Sequence, residues 1–274
     1  MPDEPQTPPT ELSAGSDPVN NAVVGNMFEI FVLPELSRRG STVDPREIDQ
    51  FLVELKPDGD VAVRLGEEAL LEGTLVPAEG GGYYLQDVAP QDGEVGPNSG
   101  WVAYIGFRTE TGQRGGTLAF DFRRNRERAD GLLRKADGFL AAAIRLGEEN
   151  ISPAIDSLYS AAELSVQAMM SLQADNDPRH ELRRRWLRRW TKVQNSPASH
   201  SQMLDDLANL RPAARYEAGD PTLKKGRFDR ITATVREMID TARTYAGDRS
   251  PVVRYELAGP LVHEASTGAE STVP

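Results

Sequence analysis

The sequence predicts an α+β chain of two domains, an N-terminal antiparallel β-sandwich or small barrel followed by a C-terminal five-helix bundle. Three observations carry this. Between Met27 and Arg123, short apolar runs alternate with Gly-, Pro- and Asp-rich turns at a spacing that fits roughly seven strands. From Arg126 onward the apolar residues recur every three or four positions, and Gly and Pro retreat to the breaks. The chain has 274 residues and no cysteine, which is long enough to bury a core without disulfide staples.

The elements follow in order. Residues 1–22 are rich in Pro, Ser and acids with few large apolar groups, so they read as a disordered tail. The β-domain, 23–125, opens with "MFEIFVLP", an apolar run stopped by Pro34, and "DPREID" reads as a turn of helix. "IDQFLVEL" and "VAVRL" flank "KPDGD", whose Pro-Asp-Gly is hairpin chemistry. "LLEGTLVP" and "YYLQDV" flank the glycines at 80–82, and "WVAYIGF" and "TLAFDFR" flank "RTETGQRGG". Glycines 80–82 and 115–116 both read as turns between strands. Leu118, Phe120 and Phe122 alternate with Thr117, Ala119 and Asp121, which predicts one buried face. Tyr83, Tyr84, Trp101 and Tyr104 are either core or the lining of a ligand pocket.

The helical domain, 126–247, begins with a helix over about 126–147, its apolar face formed by Leu133, Ala136, Leu140, Ala143 and Ile144. A second helix, about 153–173, has Ser152 as its cap and Pro153 at its first position. Asp177-Pro178 starts a third in the same way. Ser199 and Gln202 form a capping box for a fourth that ends near Leu210. A fifth, about 223–246, buries Phe228, Ile231, Val235, Met238, Ala242 and Tyr245. Residues 248–274 read as an extended or disordered tail.

Charge divides the same way. Residues 1–125 carry a net charge of −12 and residues 126–247 a net of +3, within a chain of −11 overall. An acidic protein is a poor general ligand for nucleic acid, so any phosphate contact belongs to the second half. Without cysteine there is no zinc-thiolate site and no thiol nucleophile. No apolar run approaches the ~20 residues of a membrane span, and a soluble cytoplasmic protein without a membrane role is expected. Walker A, G-x-G-x-x-G, H-E-x-x-H and G-x-S-x-G patterns are all missing. The pairs Glu67-Glu68, Glu148-Glu149 and Asp205-Asp206 are adjacent in sequence and so diverge in space. Neither a metal nor a cofactor is expected.

"RHELRRRWLRRWTK", residues 179–192, departs from this acidic background. At 100° per residue, Leu182, Trp186, Leu187, Trp190 and Val193 share one arc, while Arg184, Arg185, Arg188, Arg189 and Lys192 share the other. The tryptophans are therefore core anchors and not base-stacking platforms. Only Arg183 falls on the apolar arc, where its stem is expected to snorkel outward. The basic arc has three readings: a face toward solvent or the acidic β-domain, a contact surface for RNA, DNA or nucleotide phosphate, or a membrane-surface face.

"ISPAIDSLYSAAELSVQAMMSLQ", with Ala161, Ala162, Glu163 and Ala168, is followed by "SHSQMLDDLANLRPAARYEAGD", with Arg211, Arg215 and Tyr216. Together these resemble the HEPN superfamily, small α-bundles of prokaryotic defence and toxin systems, over residues 127–246. Catalytic members of that family are metal-independent ribonucleases built on Arg, four to six residues, then His. No arginine stands at that distance before His180, His200 or His263, so the motif is missing. The resemblance then implies a non-catalytic RNA- or nucleotide-binding or sensing module that dimerises through its bundle. Its contact candidates are Arg184, Arg185, Arg188, Arg189, Lys192, Arg211 and Arg215. A divergent ribonuclease would instead use Arg211 with Tyr216, or with His200 brought near by folding, although Pro212 is expected to break the helix there. A structural homo-oligomer without a nucleic-acid role is the third reading. Residue by residue, Arg211 and Arg215 either contact phosphate or pair with Asp205, Asp206 or Glu217. Tyr216 reads as half-buried packing, His200 as a surface residue at a helix start, and His180 as a neighbour of a helix cap.

Overall fold

The computed structural model describes residues 12–14, 18–77, 83–108, 114–175, 179–217, 221, 223–224 and 226–247. The class is the one predicted, with antiparallel strands N-terminal and helices C-terminal. Six strands form three hairpins: β2 (Gln50–Leu55) with β3 (Val61–Leu65), β4 (Leu71–Pro77) with β5 (Tyr83–Pro90), and β6 (Gly100–Arg108) with β7 (Arg114–Asp121). With β1 (Leu12–Ala14) on the edge of β7, the five-stranded sheet runs β1-β7-β6-β2-β3, and β4-β5 stands apart as a pair. β1 falls inside the stretch expected to be a tail, because three backbone positions find partners on β7.

Both faces of the sheet are covered, so β2 reads as an unbroken buried run. Phe51, Val53, Leu55, Val102, Tyr104 and Leu118 meet a helical segment on one side. Leu52, Ala103 and Ala119 meet Val88 and Leu85 of the β4-β5 hairpin on the other. The expectation of a single buried face on β7 is thereby corrected. Thr117, Ala119 and Asp121 are buried with Leu118, while Phe122 is exposed.

The covering segment is "MFEIFVLP" and its neighbours, which are helical and not a strand. α1 (Pro18–Met27) passes through a π turn at Phe28–Val32 into α2 (Leu33–Arg38). Met27, Phe28, Phe31, Val32 and Leu36 pack on the sheet at helical spacing. Leu33 N–H reaches back to Phe28 O, and Pro34 sits in the first turn of α2, where its missing N–H is tolerated. "DPREID" holds a 3-10 turn, with Asp44 accepting from Arg46 N–H at 2.8 Å. Tyr104 is core, stacked on Phe51 at 5.4 Å, and Trp101 packs against the second cluster. Gly115 and Gly116 lie inside β7 and not in a turn. At Gly116 the Tyr104 ring occupies the space a Cβ would need. The side chains of Tyr83 and Tyr84, and glycines 80–82, lie outside the described residues.

The helical half contains α3 (Arg126–Leu146), a 3-10 turn at Glu148–Asn150, α4 (Ile151–Leu172), α5 (His180–Lys192), α6 (Ala198–Tyr216) and α7 (Arg227–Gly247). On α3, Ala129, Leu133, Ala136, Leu140 and Ala143 alternate steps of four and three, a heptad seam whose alanines bring α4 close. Ile144 lies off that seam and is exposed. α4 is the central helix, packed against α3, α5, α6 and α7. All six apolar residues expected of the last helix are buried.

Two caps differ from expectation. α4 begins at Ile151, so Ser152 and Pro153 lie inside its first turn. α6 begins at Ala198 after Pro197, with no side-chain cap from Ser199. α6 also continues through Pro212 to Tyr216. Pro212 is exposed, so water can satisfy the carbonyl four residues back. The start expected at Asp177-Pro178 lies outside the described residues.

The two halves are joined without a linker. Arg124 N–H donates to Leu172 O at 2.9 Å and Asn125 Nδ2 to Ser171 O at 3.1 Å, so the junction caps the C-terminus of α4. Arg123 and Arg126 donate to Tyr245 O and Ala246 O at the end of α7, and both pair with the buried Asp121 of β7. Among the described residues no helix is long and apolar enough to cross a membrane.

Candidate nucleic-acid interface

α5 shows the predicted division of its faces. Trp186 and Trp190 are buried and stacked, with centroids 4.7 Å apart, and Trp190 meets the Tyr245 ring edge-on. Arg185, Arg188, Arg189 and Lys192 are exposed. Arg188 forms a two-pronged pair with Asp205 at 2.8 and 3.0 Å, and Arg184 approaches the same carboxylate at 4.0 Å.

Arg183 does not snorkel. It is buried, with Nη1 3.2 Å from the Glu163 carboxylate of α4. That carboxylate also accepts from Tyr159 Oη at 3.1 Å and bonds His180 Nδ1. A buried carboxylate needs such partners, because desolvation without them would neutralise it. Burial pushes the Tyr159 hydroxyl's pKa up, and the adjacent Glu163 charge adds to the shift.

Beside this network α6 contributes Arg211 and Arg215, one turn apart. Their partner is Asp156 of α4, not Asp205, Asp206 or Glu217. Arg211 Nε lies 2.9 Å from Asp156 Oδ1, and Arg215 reaches it through Nε at 2.7 Å and through Nη2 to Oδ2 at 2.9 Å. Burial raises the Asp156 carboxyl, but hydrogen bonds from Arg215 and Arg211 outweigh it and hold the group below the usual range. The Arg211 guanidinium also lies over the Tyr159 ring at 4.4 Å. Tyr216 is 80 % exposed, so it is no packing residue.

These elements enclose one pocket of about 210 Å³, lined by Tyr159, His180, Arg184, Arg211, Arg215 and Tyr216. Of the predicted contact residues it gathers Arg184, Arg211 and Arg215. Arg185, Arg188, Arg189 and Lys192 do not line it. It also brings in His180, which a search for Arg and His on one helix misses because Arg211 is on α6 and His180 on α5. A usable signal was its place one helical turn before Arg184.

His200, the histidine offered for a ribonuclease site and read as a surface residue, is instead buried and lies elsewhere. It is 1 % exposed at the start of α6, its Nε2 3.9 Å from Glu237 Oε2, and neither ring nitrogen has a hydrogen-bond partner among the described residues. Arg211 follows it by eleven residues along the same helix, roughly 16 Å at 1.5 Å per residue. Burial lowers the pKa of His200 and Glu237 only partly opposes this. The unfolded chain therefore binds the proton more readily below about pH 6.5, and stability is lost as pH falls through that value. Unfolding measured between pH 7.5 and 5.5 is expected to lose up to about 1.4 kcal/mol per pH unit that His200→Gln does not lose. Parallel pH profiles for the two proteins would contradict this.

His263 lies outside the described residues. Among the described residues no group of three or more His, Asp or Glu side chains could hold a metal.

Residues 129–245 match the family model of the HEPN domain. The helical half is a HEPN domain. No family model matches the β-domain, and a search of curated proteins finds no match for the chain. The HEPN match spans α4, α5 and α6, so every residue lining the pocket belongs to this domain.

Proposed function

We propose that the HEPN domain binds RNA or nucleotide phosphate in the pocket between α4, α5 and α6. The observation that carries this reading is the convergence of Arg184, Arg211 and Arg215 on one small pocket. Arginine forks match phosphate oxygens in pairs, and a partly desolvated cluster of them favours an anion. About 210 Å³ is below the ~300 Å³ at which most small-molecule pockets begin, and suits a phosphate group with its base outside. Tyr216, exposed at the rim, offers such a base a stacking face. Exposed Arg185 and Arg189 on α5 extend the positive surface beyond the pocket.

The test is a salt titration of single-stranded RNA binding to the full chain. Three phosphate contacts give a slope of log affinity against log salt near −2, at about −0.7 per contact. No binding even at low salt sinks the reading.

A second reading, RNA cleavage, rests on His180. Its Nδ1 is held by Glu163, and its Nε2 has no hydrogen-bond partner among the described residues, in a ring that lines the same pocket as Arg211. Nε2 would take the 2′-hydroxyl proton as that oxygen attacks the neighbouring phosphorus and the bond to the 5′-oxygen breaks, the 5′-oxygen leaving as a hydroxyl with a proton from water. Arg211 would stabilise the charge on the phosphate. Chelator-resistant cleavage that His180→Ala abolishes supports this reading. RNA left intact at saturating protein removes it and leaves binding alone.

A further inference from the structure

We infer that Asp156 is the positioning residue of the phosphate pocket: it fixes Arg211 and Arg215 by their Nε edges, so that their remaining amino groups are set for one phosphate. The inference rests on the binding reading above and concerns how that site is built.

Two guanidinium groups one turn apart on the same helix repel each other, and their long stems lose much freedom when held in place. Asp156 opposes both effects. Its Oδ1 receives Nε of Arg211 at 2.9 Å and Nε of Arg215 at 2.7 Å, and its Oδ2 receives Nη2 of Arg215 at 2.9 Å. Arg211 is held from a second side, over the Tyr159 ring at 4.4 Å. The atom Arg211 gives to Asp156 is Nε, so both of its Nη groups stay outside that bond, as does Nη1 of Arg215. An arginine has five N–H donors, so one bound to a carboxylate through Nε keeps Nη donors for a second anion. The Asp156 carboxylate is one-quarter exposed, and with two cations against it it remains ionised throughout the neutral range.

Charge counting and positioning predict opposite outcomes. Removing the carboxylate makes the pocket more positive by one unit, which alone tightens anion binding. If Asp156 orders the arginines, removing it weakens binding, because two long side chains must then be immobilised when the ligand arrives.

The experiment uses the full chain and a fluorescein-labelled single-stranded RNA, with anisotropy read across a salt series. Asp156→Asn is expected to bind about tenfold more weakly than the parent, with an unchanged salt slope because the phosphate contacts are still made. Asp156→Glu, which restores the carboxylate on a longer stem, is expected to recover part of the loss. If the Asn variant does not fold, Asp156→Ser gives the same comparison. Equal or tighter binding by a folded neutral variant, with the parent binding normally, overturns the positioning role and leaves the binding reading intact. No binding by the parent at any salt overturns both.

Discussion

Asp121→Ala is expected to cost the protein about 3–5 kcal/mol of stability, the usual result of stranding a buried cation. Asp121 and Arg123 are 5 % and 3 % exposed in their side chains and are joined by two bonds of 2.8 Å, with Arg126 on the same carboxylate. Without Asp121, Arg123 remains in the interior with no carboxylate on its guanidinium among the described residues, beside the carbonyl and ring of Tyr245. The damage falls at the junction, so both halves register it. Trp101 reports on the β-domain and Trp186 with Trp190 on the bundle, so tryptophan fluorescence during urea unfolding follows the two together. A variant within about 1 kcal/mol of the parent, the range of an exposed pair, would show that the cluster contributes little.

Arg211→Ala is the substitution expected to affect RNA binding most. A charge-assisted hydrogen bond is worth about 1.5–3 kcal/mol, which predicts a loss of roughly 10- to 100-fold in affinity. The salt slope should become shallower by about 0.7, one phosphate contact on a single strand. Stability should change little, since Arg211 and Asp156 are each about one-quarter exposed and such pairs contribute at most about 1 kcal/mol. Arg211 is singled out because it alone lies between the Tyr159 ring and a carboxylate. Arg185, without such anchors, should lose far less when replaced. Parental affinity in Arg211→Ala, measured by the same anisotropy titration, would move the binding surface away from the pocket.

Much of the bundle could be read from local pattern. The Trp186-Trp190 arc and the 228–245 stripe repeat over several turns, and period alone placed them in the core. The turn between β2 and β3 was readable for the same reason, since Pro-Asp-Gly at 57–59 specifies a turn from neighbouring residues. "MFEIFVLP" misled because eight apolar-rich residues are too few to separate a helical period from a strand. The site was less legible because its bonds are distant in sequence. Asp156 meets Arg211 and Arg215 across 55 and 59 positions, and Glu163 meets His180 across 17. No spacing rule within one helix reports such meetings. Arg183 was misread for a related reason: its buried place depends on Glu163, a residue of another helix. Tyr216 failed in the other direction, an aromatic left in solvent where burial is the habit.

The junction at 121–126 has a structural consequence. α4 is a single helix whose C-terminal carbonyls accept from Arg124 and Asn125, while Asp156 and Tyr159 lie toward its other end and Glu163 near its middle. From Leu172 to Asp156 the helix measures roughly 24 Å at 1.5 Å per residue. The near end carries the junction that follows β7, and the far end carries Asp156, which bonds Arg211 and Arg215. One helix therefore bears both the junction with the β-domain and the carboxylates that anchor the pocket.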